Sequence, residues 1–144
     1  VAVRGDNGNI YIYILTPTGA ASTDLIQAVL DNTSDEKKRP LSDRVHVTTG
    51  EALNMTLALK VYPLATANPQ AVRARAIQKA QGFADKRRVK LGQDIVPSQI
   101  IDTLSDDETW QVEVITPAAP IIVKPWQWAN ITDITVTLGA VQDG

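Results

Sequence analysis

Cysteine is absent from this 144-residue chain, and histidine, methionine and phenylalanine occur once each, as His46, Met55 and Phe83. Without cysteine there are no disulfides, no thiolate-ligated zinc or iron–sulfur cluster, and no thiol nucleophile. A single histidine excludes histidine-rich metal sites. It also leaves His46 as the one base open to a serine–histidine–acid triad, and no Gly-x-Ser-x-Gly elbow is present to supply the serine. No apolar run approaches the roughly 20 residues that a membrane-spanning helix needs. The first residues, Val1-Ala2-Val3-Arg4-Gly5-Asp6, have no apolar region behind them of the secretory kind. Charge of one sign is not in excess: 14 basic and 16 acidic residues leave a net charge of −2, so the whole chain does not advertise binding to nucleic acid or to an anionic membrane.

What is present is ordinary globular material. Apolar residues make up 44% and charged residues 21%, enough to bury about two-thirds of the unfolded surface in one domain. Residues 1–144 therefore read as a single α+β domain. The missing initiator methionine is read as processing or, preferably, as the sign of a piece of something longer.

Strands are marked by period-two alternation. Ile10, Ile12 and Ile14 alternate with Tyr11, Tyr13 and Leu15, and Thr16-Pro17-Thr18-Gly19 ends the run. Val45 and Val47 form a shorter strand, with Thr49-Gly50-Glu51 as a turn or bulge. Leu53, Met55, Leu57, Leu59 and Val61 alternate with Asn54, Thr56, Ala58 and Lys60, a strand with one solvated face. Trp110, Val112 and Val114 give another, and Ile134, Val136 and Leu138 a last one. Pro117, Pro120 and Pro125 place the stretch up to Trp128 in a surface loop or edge hairpin.

Three helices lie between. The first, about Ser22 to Asn32, is capped by Ser22 or Thr23 and presents Leu25, Ile26, Val29 and Leu30. The second starts at Asn68-Pro69 and carries a narrow stripe of Val72, Ala76, Ala80, Phe83 and Ala84, small enough to lie close to a sheet. The third starts near Pro97-Ser98, with Ile100, Ile101 and Leu104 as its buried side. The order predicts a mostly antiparallel sheet with helices on one face, in the ferredoxin-like β-α-β-β-α-β arrangement, plus an extra C-terminal strand.

Candidate sites are few. Asp6-Asn7-Gly8-Asn9 lacks the later carboxylates of a calcium loop and reads as a turn. Arg4-Gly5-Asp6 matches an integrin-binding tripeptide, a three-residue match of little weight. Gly5 and Gly8 have neither a preceding strand nor a P-loop lysine. Asp106-Asp107-Glu108 reads as a solvated turn, and His46 as a structural strand histidine. No catalytic, cofactor-binding or metal-binding residue is assigned, no cofactor or small-molecule substrate is expected, and an enzyme is the least supported class.

Charge layout says more. From Asn68 to Lys90 lie Arg73, Arg75, Lys79, Lys86, Arg87, Arg88 and Lys90 against Asp85 alone; from Leu91 to Val123 there is no basic residue but Asp94, Asp102, Asp106, Asp107, Glu108 and Glu113. Two oppositely charged surfaces could meet between subunits and steer assembly, with Arg73, Arg75, Lys79 and Arg87 on one side and Asp102, Asp106, Asp107 and Glu108 on the other. Alternatively, the basic helix could meet phosphates as part of a ferredoxin-like nucleic-acid or small-ligand module. The long strand, however, carries none of the stacking aromatics that RNA-binding sheets use. The plain alternative is a solvated helix face whose Lys86, Arg87 and Arg88 complement the helix's negative end.

The segment Arg39-Pro40-Leu41-Ser42-Asp43-Arg44-Val45-His46-Val47 resembles the C-terminal region of the baseplate assembly protein J family of contractile-tailed bacteriophages and prophages. The strand Gly8 to Leu15 with its Thr16–Gly19 turn, the long strand ending Val61-Tyr62-Pro63, the helix from Pro69, Lys90-Leu91-Gly92-Gln93-Asp94-Ile95 before a short helix, and the close Thr132-Asp133-Ile134-Thr135-Val136-Thr137-Leu138-Gly139 agree with it in order. The resemblance spans roughly residues 5–139, and family members are longer. It implies a virion structural protein: a baseplate wedge component that contacts other wedge proteins and copies of itself. Its place would be the tail baseplate, after assembly in the host cytoplasm, with no membrane and no nucleic-acid role.

Overall fold

The computed structural model describes residues 2–6, 9–16, 19–33 and 44–144. In chain order the elements are β1 (Ala2–Asp6), β2 (Asn9–Thr16), β3 (Gly19–Ala20), α1 (Thr23–Thr33), β4 (Arg44–Thr49), β5 (Glu51–Pro63), α2 (Pro69–Arg88), α3 (Pro97–Leu104), β6 (Thr109–Thr116) and β7 (Gln127–Leu138). The Arg39-to-Asp43 part of the family-like segment lies outside the described residues, as do Asn7 and Gly8 of the Asp6-to-Asn9 turn.

The long alternating strand, β5, does what its pattern demands. Leu57, Leu59 and Val61 are each 1% exposed, while Ala58, Lys60 and Tyr62 between them face the other way and are half-buried. β5 is the centre of a three-stranded sheet ordered β6-β5-β7, antiparallel to β6 and parallel to β7. A parallel neighbour requires a long crossover. Here α2, α3 and β6 form that crossover, and α2 and α3 cover the apolar face. Asn68 caps α2 as its sequence indicates, its side chain accepting from the N–H of Gln70 at 3.0 Å and Ala71 at 3.5 Å. The predicted stripe of Val72, Ala76, Ala80, Phe83 and Ala84 is the buried side of α2. With Ile95, Ile100, Leu104, Val112, Val123, Ala129, Ile131 and Val136 it completes one core around β5.

The architecture is α+β, but the single, mostly antiparallel, ferredoxin-like sheet is not what forms. There are two mixed sheets. In the first, β2 lies between antiparallel β1 and parallel β4, and the two-residue β3 pairs with its end. A ferredoxin-like order needs β4 and β5 to reverse into a hairpin. Instead Thr49-Gly50-Glu51 carries the chain onward, from the first sheet directly into the second. Gly50 is what permits the handover: its N–H donates to the Ile14 carbonyl at 2.7 Å, and the Glu51 N–H donates to the Trp126 carbonyl at 2.9 Å. A Cβ at position 50 would stand 2.7 Å from Leu91 Cδ2 and 3.3 Å from Trp128 Cδ1. A side chain here would have to displace the Leu91 methyl, so glycine suits this close passage.

Three finer readings also change. The prolines place the stretch from Pro117 to Trp128 in a surface loop or edge hairpin, yet β7 begins at Gln127, parallel to β5, and Trp128 is buried. The alternation is hidden because the register with β5 shifts between Met55 and Thr56, which pair with Ile131 and Asp133. The extra residue, Thr132, flips the inward parity from Ala129 and Ile131 to Ile134 and Val136. Ile101 of α3 is 37% exposed rather than buried. On α1, Leu25 is 38% exposed while Ile26, Val29 and Leu30 are half-buried; the expected Ser22 cap is present, with the Leu25 N–H donating to Ser22 Oγ at 3.2 Å. Among the described residues of the first sheet and α1, Ile14 is the buried apolar side chain.

The core therefore belongs to the second sheet. Leu59→Ala is expected to lower unfolding free energy by about 2–5 kcal/mol, and Leu25→Ala on α1 by less than about 1 kcal/mol. Urea titration followed by circular dichroism measures both.

Candidate functional site

The charged side of α2 has two parts. In its first half, Arg73 Nε donates to the Val136 carbonyl at 3.0 Å, binding the helix to β7. Two and six residues further along, Arg75 and Lys79 meet the loop that precedes β6. Arg75 Nη2 lies 2.8 Å from Glu108 Oε2, Arg75 Nε 3.3 Å from Asp106 Oδ2, and Lys79 Nζ 3.0 Å from the same oxygen. The other oxygen of Asp106 accepts from the Glu108 N–H and the Thr109 hydroxyl, each at 2.9 Å. This is an Asx-type turn that launches β6. Asp107 borders the same shallow depression. The basic and acidic segments that the sequence sets apart are thus brought together, but within one chain.

This arrangement tunes Asp106. Partial burial opposes its charge, but the Lys79 ammonium, the Glu108 N–H and the Thr109 hydroxyl outweigh that and hold its carboxyl at about 2. The hydrogen bond to Glu108 is the main reason the Arg75 guanidinium is raised above its ordinary value.

The second half of α2 forms a groove with α3, of about 510 Å³. Phe83 lies on the α2 side, Lys86, Arg87, Val89 and Lys90 follow it, and Gln93, Ser98, Gln99, Asp102 and Thr103 complete the wall. Arg87 is the keystone. Its guanidinium stands 4.8 Å from the Phe83 ring centroid and donates to Gln93 Oε1 at 3.2 Å and Gln99 Oε1 at 2.8 Å. Lys90 and Gln93 of the groove belong to the segment that resembles the phage family, and the residues around them are anchored. Gly92 sits at φ 70° and its N–H donates to the Gln127 carbonyl at 2.9 Å. Asp94 accepts from the Val123 N–H at 2.8 Å, and Ile95 and Ile121 exchange backbone hydrogen bonds. Asp94 and Gly92 are therefore structural fasteners between that segment and the proline-rich one.

Sequence reasoning missed a third feature. Arg4, Tyr11 and His46 are register neighbours across β1, β2 and β4. His46 stacks on Tyr11 at 4.9 Å, Arg4 lies 5.0 Å over Tyr11 and 4.8 Å over Trp126, Tyr13 stands 6.2 Å from Trp126, and Lys124 covers Trp126 at 5.4 Å. This stack fastens the first sheet onto the second. It gives His46 and Arg4 packing roles, and it places the Arg4-Gly5-Asp6 tripeptide in a paired strand. No sequence spacing connects residues 4, 11, 46 and 126, so only the register reveals them. Among the described residues no group of three or more histidines, aspartates and glutamates is placed to hold a metal ion.

A depressed native pKa at Asp106 makes stability that is present above the ordinary carboxylate range and lost as pH falls from about 4 toward about 2. Asp106→Asn is expected to cost about 1 kcal/mol at pH 7 and to make unfolding less steeply dependent on pH over that window. Urea midpoints measured from pH 7 to pH 2 check both.

Comparison with known proteins fits this geometry. The family model described as the Baseplate J-like protein C-terminal domain matches residues 55–137, a span that takes in every residue of the core around β5, from Leu57 to Val136. Baseplate protein J of Escherichia phage P2 is 28% identical over 121 residues, which is 84% of this chain and 40% of that protein. The chain thus spans well under half the length of this relative. The family match alone covers more than half of the chain, and the chain belongs to the family of Baseplate J-like C-terminal domains.

Proposed function

We propose that this chain is a structural component of the baseplate of a contractile phage or prophage tail, one part of a longer protein, and not an enzyme. It acts through contacts with other baseplate proteins and with copies of itself, after assembly in the bacterial cytoplasm. Family membership is the observation that carries this reading, and the P2 relative, a baseplate protein by name, supports it. The disposition of charge is consistent with it. Among the described residues, ionisable side chains hold the loop before β6 and line the groove between α2 and α3.

The docking surfaces we propose are the basic side of α2, with Arg73, Arg75, Lys79 and Arg87, and the acidic stretch, with Asp102, Asp106, Asp107 and Glu108. Because Asp106 and Glu108 are paired with Arg75 and Lys79 inside the chain, Asp107 is the member of the acidic run whose charge is left for a neighbour.

Antibody raised against the chain, visualised by gold labelling in negative-stain electron microscopy, is expected to mark the baseplate end of contractile tails. Label along the sheath, on the head, or on no particle would overturn the proposal. Asp107→Lys is expected to reduce incorporation into tails several-fold while leaving the urea midpoint of the purified chain unchanged, as read by immunoblots of purified particles.

A further inference from the structure

The groove between the C-terminal half of α2 and α3 is built to accept something. Arg75 and Lys79 are ion-paired and Arg73 is taken by a backbone carbonyl. Lys86 and Lys90, at the groove, have no acidic partner among the described residues, whose ion pairs are all at Arg75 and Lys79. Counting Lys86, Arg87 and Lys90 against Asp102, the lining carries a net charge of +2 in a chain whose total is −2. The last turn of α2 points its carbonyl end here, and these cations also offset that negative end.

The amides sharpen the chemistry. A guanidinium has only donors, so its two bonds to Gln93 and Gln99 fix both side-chain oxygens toward Arg87. Their NH₂ groups are thereby left to donate. Beside them stand Lys86 and Lys90, two ammonium groups, and the hydroxyls of Ser98 and Thr103. Such a lining is rich in donors and suits carboxylates and peptide carbonyls. Asp102 is the counterweight, an acceptor suited to a peptide N–H. Half-exposed Val89 adds apolar surface for a side chain between two acids, and buried Phe83 backs Arg87 from below.

We propose that this groove receives a short, extended, acidic segment of a neighbouring protein subunit. The volume is within the roughly 300–1,000 Å³ of sites that hold a few residues or a small ligand, too little for a folded element. A nucleic acid fits less well: backbone tracking calls for a run of cations along a path, whereas here three cations share one open groove with Asp102. The inference rests on the structural reading of the family above, and adds to it the chemistry of one partner.

The probe is a fluorescein-labelled, end-blocked pentapeptide alternating glutamate and leucine, titrated with the whole chain and followed by anisotropy at low salt. Expected is saturable binding that weakens as salt rises and falls roughly tenfold or more in the double variant Lys86→Glu, Lys90→Glu. Lys60→Gln, on the opposite face of the second sheet, is expected to leave it unchanged. Lys86→Gln with Lys90→Gln, which removes the charges without adding repulsion, is expected to show the same loss in smaller measure. Equal binding of the glutamine–leucine peptide, no dependence on Lys86 and Lys90, or tighter binding of a single-stranded oligothymidylate would each overturn the proposal. These outcomes are separate from the particle-labelling result: gold at the baseplate with no peptide binding sinks the groove alone, and gold elsewhere sinks the structural reading.

Discussion

Burying the Leu57, Leu59 and Val61 side of β5 is the constraint from which the rest of the second sheet follows. A strand paired on both edges leaves its apolar face to be covered by something that can come close. The helix α2 can, because alanines at 76, 80 and 84 let its backbone approach the sheet, and its two large buried side chains, Val72 and Phe83, sit near the two ends of the stripe. Cover in place, the opposite side of the same helix is exposed at Ala74, Gln78, Gln81 and Asp85, and its arginines stand on the flanks, where Arg73 reaches β7, Arg75 the loop before β6 and Arg87 the face of Phe83.

The charged side then divides by what lies opposite each turn. Facing the loop before β6, Arg75 and Lys79 hold Asp106 and Glu108 and set the start of β6. These bonds are partly solvated and contribute modestly each; their value is in orienting a loop rather than in bulk stability. Facing α3, the later cations find amides and hydroxyls instead, and the charge there is not cancelled. One helix thus covers the core and also carries the charged surface that we propose a neighbour meets. Both roles suit a protein whose family is defined by a tail baseplate.

The first sheet has a different footing. Its attachment is a straight passage through Gly50, the Trp128 indole donating to the Gly50 carbonyl at 3.3 Å, and the row of Arg4, Tyr11 and Trp126. Among the described residues it is held by a seam of aromatic and cationic side chains, with Ile14 as its buried apolar side chain. The family match begins at residue 55, just after the passage through Gly50, and takes in Trp126 and Trp128 of this attachment.

Local chemistry was enough to determine most elements from the sequence: the β5 alternation, the Asn68-Pro69 start of α2, the alanine stripe, and the separation of basic from acidic stretches. The resemblance to baseplate J proteins was legible too, in Leu91-Gly92-Gln93-Asp94-Ile95, whose glycine and aspartate prove to be the fasteners to the proline-rich segment. Tertiary structure alone decided the rest. Whether Thr49-Gly50-Glu51 reverses or runs on depends on Leu91 and Trp128, distant in sequence. Where β7 starts depends on a bulge at Thr132 that breaks the period a reader would follow. Which cations are paired depends on which loop folds back over α2. Each of these turns on contacts between residues far apart in the chain, and spacing along a sequence carries no record of them.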